Sequence, residues 1–205
     1  MARTQAPLRW LALGDSYTIG EGVPPAGRWT HQLAAKLRAD GLAIEDPHTI
    51  ATTGWTTDEL AAALDAAEPL GLWDFVSLLI GVNNQYRGRA VEQYGREFAA
   101  LLERAIGYAG GQSGRVLVLS IPDWGVTPFA AGRDRRAIAA AIDAYNGTAH
   151  ALCERRGVAF VDITPVSRAF GAERTMLADD GLHPSAAMYA AWARHALPVA
   201  HRLLG

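Results

Sequence analysis

Cysteine is nearly absent from this sequence. Cys153 is the only one among 205 residues, so no disulfide can close within the chain, and a reducing compartment is permitted. Its setting, "TAHALCERRG", offers no activating neighbours, and it reads as a helix-packing residue rather than a nucleophile. An excess of either charge is also missing: 19 Lys and Arg stand against 21 Asp and Glu, for a net charge of −2. Without a field of one sign, neither nucleic acid nor an anionic membrane surface is an expected partner. Long apolar runs are lacking too. The run around "LLIGV" is short, and no run approaches the ~18 residues that a membrane-spanning helix needs. The opening "MARTQAPLRWLALGDS" has no small-residue cleavage site and reads as a strand ending in a turn, so the expectation is an uncleaved, cytoplasmic protein.

Several motifs are missing as well. No G-x-G-x-x-G opens a helix and no G-x-x-x-x-G-K-[ST] occurs, which deprives a flavin or nucleotide carrier of its glycine geometry. No H-E-x-x-H pairs the histidines, and His31, His48, His150, His195 and His201 are expected in structural or solvated roles. Asp179, Asp180 and His183 make too small a donor set for a metal without a further cluster, so neither metal nor cofactor is expected.

What is present is ordinary globular composition, 50% hydrophobic and 20% charged, with no repeat, linker or low-complexity break, so residues 1–205 are expected to form one domain. Short runs rich in Val, Ile, Leu and aromatics recur: "LRWLALG", "IEDPHTIA", "WDFVSLLIG", "RVLVLSIP" and "VAFVDIT". Four are continuously apolar, as strands are when both faces of a parallel sheet are covered. The second is polar and broken by Pro47, which makes it an edge strand.

Between and after the strands lie five Ala- and Leu-rich segments of helical length, several stopping at glycine. One begins with Thr56 and has Glu59 three positions on, a capping box. Strands alternating with helices predict an α/β fold, a three-layer α/β/α sandwich on a five-stranded parallel sheet. Ligands in such sheets sit beyond the carboxyl ends of the strands, at a topological switch point.

The segments at those ends are "GDSYTIGEG", "TTGWTTDE" and "GVNNQYRGR", and "ADDGLHPS" precedes the last helix. Each has a structural explanation. Asp15 or Ser16 could cap a helix, Gly54 could serve a turn, Asn83 and Asn84 tolerate turn geometry, and Pro184 suits a first helical position.

Together they offer a reaction. A serine hydroxyl needs a histidine to take its proton and a carboxylate to fix the imidazole tautomer. Ser16, His183 and Asp180 could fill those posts, with Asp179 as the rival carboxylate. The N–H groups of Ser16 and Gly54 and the Asn83 amide could hold an oxyanion. Trp29, Trp55, Tyr86 and Trp124 fall on or near the loop side and could wall a pocket, and Arg87 could meet a polar substrate group or pair with a carboxylate. "GDS" lacks the G-x-S-x-G elbow of the α/β-hydrolases.

In their order, these blocks resemble those of the SGNH (GDSL) hydrolase family across nearly the whole chain. The resemblance implies a flavodoxin-like sandwich and a metal-free hydrolase of carboxylic esters; it does not choose the acyl group, and 205 residues leave little for a separate lid domain, so short-chain acyl or acetyl esters of small molecules are the expectation. It implies Ser16 as nucleophile, His183 as base, Asp180 as its orienter, and Ser16, Gly54 and Asn83 as the oxyanion hole. One departure is Asn84, where the family often has Asp, and this bears on loop support more than on catalysis. The alternative is a non-catalytic module that holds a carbohydrate or metabolite on the same strand-end loops. Oligomeric state stays open.

Overall fold

The computed structural model describes residues 6–205. Residues 1–5, which carry part of the N-terminal stretch expected to remain uncleaved, lie outside the described residues. Five strands form one wholly parallel sheet in the order β2-β1-β3-β4-β5: β1 (Trp10–Gly14), β2 (His48–Ala51), β3 (Phe75–Leu79), β4 (Val116–Leu119) and β5 (Ala159–Val161). Every residue of β1, β3 and β4 is buried, which is why those runs are apolar without alternation. β2 lies at an edge, and Pro47 falls between an isolated Leu8–Ile44 bridge and the start of its ladder.

The helical segments are α1 (Ser16–Ile19), α2 (Trp29–Ala39), α3 (Thr57–Ala67), α4 (Val82–Tyr86), α5 (Val91–Tyr108), α6 (Arg135–Arg156), α7 (Thr164–Phe170) and α8 (Ala186–Leu204). α2 packs against α8, and α5 packs against both α3 and α6, which gives the helical layers on the sheet. The Thr56–Glu59 capping box starts α3, with the Thr56 N–H donating to Glu59 at 2.8 Å. α6 ends at Gly157 in the left-handed region, φ 65°, as its sequence suggests. Cys153 is buried on α6, and burial pushes its thiol up to about 12, so it packs and does not react. No helix among the described residues is long and apolar enough to cross a membrane.

Two local expectations are corrected. Pro184 is not the first residue of α8: Ser185 is its N-cap, accepting from the Met188 N–H at 3.4 Å, and Pro184 pairs instead with Leu177 in an isolated bridge. Trp29 walls no pocket. It is fully buried in the first turn of α2 and packs edge-on to Trp10 with ring centroids 5.9 Å apart.

The sheet order sets where the site forms. β1 lies between β2 and β3, so the chain leaves it first to one side and later returns to the other. Gly14 stands in register with Ala51 and with Leu79, and the segments following these three strands therefore start at one level.

Candidate active site

After Gly14 the chain turns directly into α1. Asp15 is the N-cap, its Oδ1 accepting from the Tyr17 N–H at 3.0 Å, which leaves Ser16 as the first helical residue. Ser16 is 4% exposed and lines a cavity of about 210 Å³. Gly54, Asn83 and His183 line the same cavity, from the ends of β2 and β3 and the turn before α8. A larger, shallower groove of about 600 Å³ beside α2, lined by His31, Lys36 and Asp46 among others, holds none of them.

His183 is fixed by Asp180. Its Nδ1 lies 2.5 Å from Asp180 Oδ2, while Oδ1 accepts from the N–H groups of Leu182 and His183, each at 2.9 Å. Gly181, with φ 67°, allows this tight turn. Burial works to raise the Asp180 carboxyl, but the hydrogen bonds from the His183 ring and the two peptide groups outweigh it and hold it below the ordinary range. A carboxylate at Nδ1 keeps the ring proton there and leaves Nε2 as an acceptor. Asp179 makes none of these bonds. No hydrogen bond joins Ser16 Oγ to the His183 ring in this structure, and the hydroxyl engages no other partner among the described residues.

Gly54 has φ 88°, and among the described residues, its chain neighbours aside, an added Cβ would come within 4.0 Å of Arg87 Nη2 alone. Backbone conformation rather than crowding by the protein calls for glycine there. Asn83 sits in α4, and its Nδ2 donates to the Trp55 carbonyl at 2.9 Å. That bond uses one of its two amide N–H groups and sets the plane of the other. α4 itself follows Gly81, whose φ is 129° and where an added Cβ would lie 2.5 Å from the Tyr94 ring, so the position admits no side chain.

Asn84 is fully buried, and its environment explains why it is not an acid. Its Oδ1 accepts from the Thr57 N–H at 3.0 Å, and its Nδ2 donates to Thr57 Oγ1 at 2.6 Å and to Glu97 Oε2 at 3.4 Å. Thr57 Oγ1 donates to that same Glu97 oxygen, so α5 already supplies the carboxylate. Asn84→Asp is expected to set a second carboxylate against Glu97 and cost about 1–3 kcal/mol of stability in urea unfolding. Adding Glu97→Gln should recover part of the loss; two variants with additive losses would refute the shared-carboxylate account.

Asp15 is a buried acid beside Ser16. Its Oδ2 has no hydrogen-bond partner, and burial raises its pKa from 3.8 to about 7 against the opposing pull of the Tyr17, Asp15 and Gly81 peptide groups. A raised folded-state pKa means that its contribution to stability is complete below the unfolded value and is lost as pH rises through 7. Between about pH 4 and pH 8, wild type should lose on the order of 4 kcal/mol relative to Asp15→Asn in urea unfolding. Parallel pH–stability curves for the two proteins would contradict this.

Of the four aromatics singled out from sequence, Tyr86 and Trp124 line the cavity, while Trp29 and Trp55 do not. Phe129, which sequence reasoning missed, joins them: its centroid lies 6.3 Å from Tyr86 and 6.1 Å from Trp124, and those two lie 5.3 Å apart. Arg87 takes the ion-paired alternative. It donates to the Gly54 carbonyl at 2.7 Å and pairs with Glu59 at 3.3 Å.

Residues 12–191 match the model of the GDSL-like lipase/acylhydrolase family. The fold is that of TesA, which superimposes with a TM-score of 0.74 at 21% identity, covering 96% of this chain and 99% of that one. An acetylxylan esterase of Geobacillus stearothermophilus, Axe2, gives 0.72 at 20% identity over 95% and 94% of the two chains. LAE5, an α/β hydrolase from the metagenome of Lake Arreo, Spain, gives 0.73 at 21% over 98% of each. No curated protein matches the chain by sequence.

Proposed function

The chain belongs to the GDSL-like lipase/acylhydrolase family and is a carboxylic ester hydrolase; from that premise we propose that it cleaves short-chain acyl or acetyl esters through an acyl-enzyme on Ser16. One observation carries the reading: Ser16, Gly54, Asn83 and His183, which come from four separate segments, share the wall of one small cavity.

His183 Nε2 takes the proton of Ser16 Oγ as the hydroxyl attacks the ester carbonyl, and Asp180 stabilises the imidazolium through Nδ1. Negative charge then develops on the carbonyl oxygen. The Ser16 N–H is the first donor available to it, since the first peptide groups of a helix have no partner within the helix. The Gly54 N–H and the second N–H of Asn83 complete the set. His183 returns the proton to the departing alkoxide, leaving acyl-Ser16 and a free alcohol. Water, deprotonated by the same ring, then releases the acid and restores the serine.

Cavity size supports short acyl groups. About 210 Å³ lies below the ~300–1,000 Å³ of pockets that enclose drug-sized ligands. Acetyl esters are also the substrate class named for the Geobacillus neighbour. The test is a p-nitrophenyl ester series of increasing acyl length together with a fluorophosphonate probe. The expected result is kcat/KM highest for the shortest acyl groups and a covalent adduct at Ser16. Rates rising steadily toward long chains, or an adduct at another residue, would overturn the proposal.

A further inference from the structure

At the rim of the cavity the three aromatic side chains form a cup, and Arg133 occupies it. Its guanidinium carbon lies 5.1, 5.2 and 5.4 Å from the ring centroids of Tyr86, Trp124 and Phe129, and its Nη2 donates to Tyr86 Oη at 3.1 Å. The cup is itself anchored beside the reacting groups. The Phe129 N–H donates to the carbonyl of Gly181, between Asp180 and His183 in sequence, at 3.2 Å, and Trp124 Nε1 donates to Gln85 Oε1 at 2.8 Å.

Among the described residues no carboxylate pairs with this cation. Arg133 takes part in none of the ion pairs among the described residues, whereas Arg87 and Arg89 on the facing segment are both paired. The adjacent Asp134 makes no ion pair with it, and its Oδ1 accepts from the N–H groups of Arg136 and Ala137, each at 3.0 Å.

One N–H of Nη2 goes to Tyr86 Oη, and the remaining N–H groups of the guanidinium can offer the fork that matches an anionic oxygen pair. Holding the side chain against three rings also removes much of the rotamer entropy that binding would otherwise cost.

We propose that Arg133 is a specificity-determining residue: it selects esters that carry an anionic oxygen group, a carboxylate or phosphate, on the part lying at the cavity mouth. The inference rests on the reading of this cavity as the ester site. The reacting ester would sit in the small cavity beside Ser16, and the anionic end would reach the guanidinium outside it.

The test compares matched esters on one enzyme preparation, so that any loss of folded protein cancels. p-Nitrophenyl valerate is paired with the p-nitrophenyl monoester of glutarate, and phenyl acetate with 4-acetoxybenzoate and 4-acetoxyphenyl phosphate. Each kcat/KM is divided by the ester's hydroxide-catalysed rate constant. Wild type should favour the anionic member in at least one set, chiefly through KM. Arg133→Gln should lower the anionic-to-neutral ratio about tenfold, the scale of one hydrogen bond to a charged group. Arg133→Lys should retain part of the preference, and added salt should erode it in wild type.

The carboxylate and phosphate members separate the two sources of charge. A ratio unchanged by Arg133→Gln in every set, or one lost equally for neutral and anionic esters, would overturn the proposal and leave Arg133 as a support for the aromatic rim. Absence of hydrolysis of every ester, neutral and anionic alike, by wild type would instead overturn the esterase reading on which it stands.

Discussion

Ser16→Ala is expected to lower kcat for p-nitrophenyl acetate by on the order of 10⁶, the scale on which serine hydrolases lose turnover without their nucleophile. The fold should survive. Ser16 Oγ is bonded to nothing among the described residues, so the change removes one oxygen that the structure does not use. The features that build the turn lie elsewhere, in the Asp15 cap and in the helix-closing bonds from Gly20 and Glu21 to the Ser16 carbonyl. Alanine is also the best helix former. Stability should therefore change by less than about 1 kcal/mol in urea unfolding, while the fluorophosphonate adduct disappears. Hydrolysis persisting near the wild-type rate, with the variant folded, would remove Ser16 from the chemistry.

Which parts of this arrangement can be read from sequence follows from the range of the forces behind them. The strands are legible because β1, β3 and β4 are buried throughout, so burial writes itself into consecutive residues. The long helices are legible through composition and caps such as Thr56 with Glu59. Because the sheet is parallel, its strand ends collect on one side, and scattered polar residues at those ends could be assigned to one site.

Short elements and side-chain directions were not legible. α1 and α4 are only 4 and 5 residues long, too short for any hydrophobic period to show. Trp29 follows a loop, yet its place in the first turn of α2 turns it inward onto Trp10. Phe129 follows Pro128 in a single 3₁₀ turn and lines the cavity with its backbone bonded to Gly181, a contact spanning 52 residues that no local pattern encodes. Asn84 shows the same limit. Its choice over Asp depends on Glu97 arriving from α5, which is a tertiary fact.

The choice between the two neighbouring carboxylates, open at the level of spacing, leads to the second large effect. Asp180→Asn should lower kcat by about four orders of magnitude, and Asp179→Asn by no more than about twofold. The asymmetry comes from what each oxygen does. In Asp180→Asn the amide oxygen can still accept from the Leu182 and His183 N–H groups, so the turn before α8 keeps its shape. The other position, 2.5 Å from His183 Nδ1 in wild type, becomes an N–H donor. A donor facing Nδ1 forces that nitrogen to accept, which moves the ring proton to Nε2. Nε2 then presents a proton where the serine needs a base, and the ring sits in place with the wrong tautomer. Asp179 has no such bond to lose. The measurement is kcat for p-nitrophenyl acetate in both variants, alongside thermal unfolding to show that each is folded. Equal losses in the two would mean that local negative charge, rather than the Nδ1 hydrogen bond, sets the state of the imidazole.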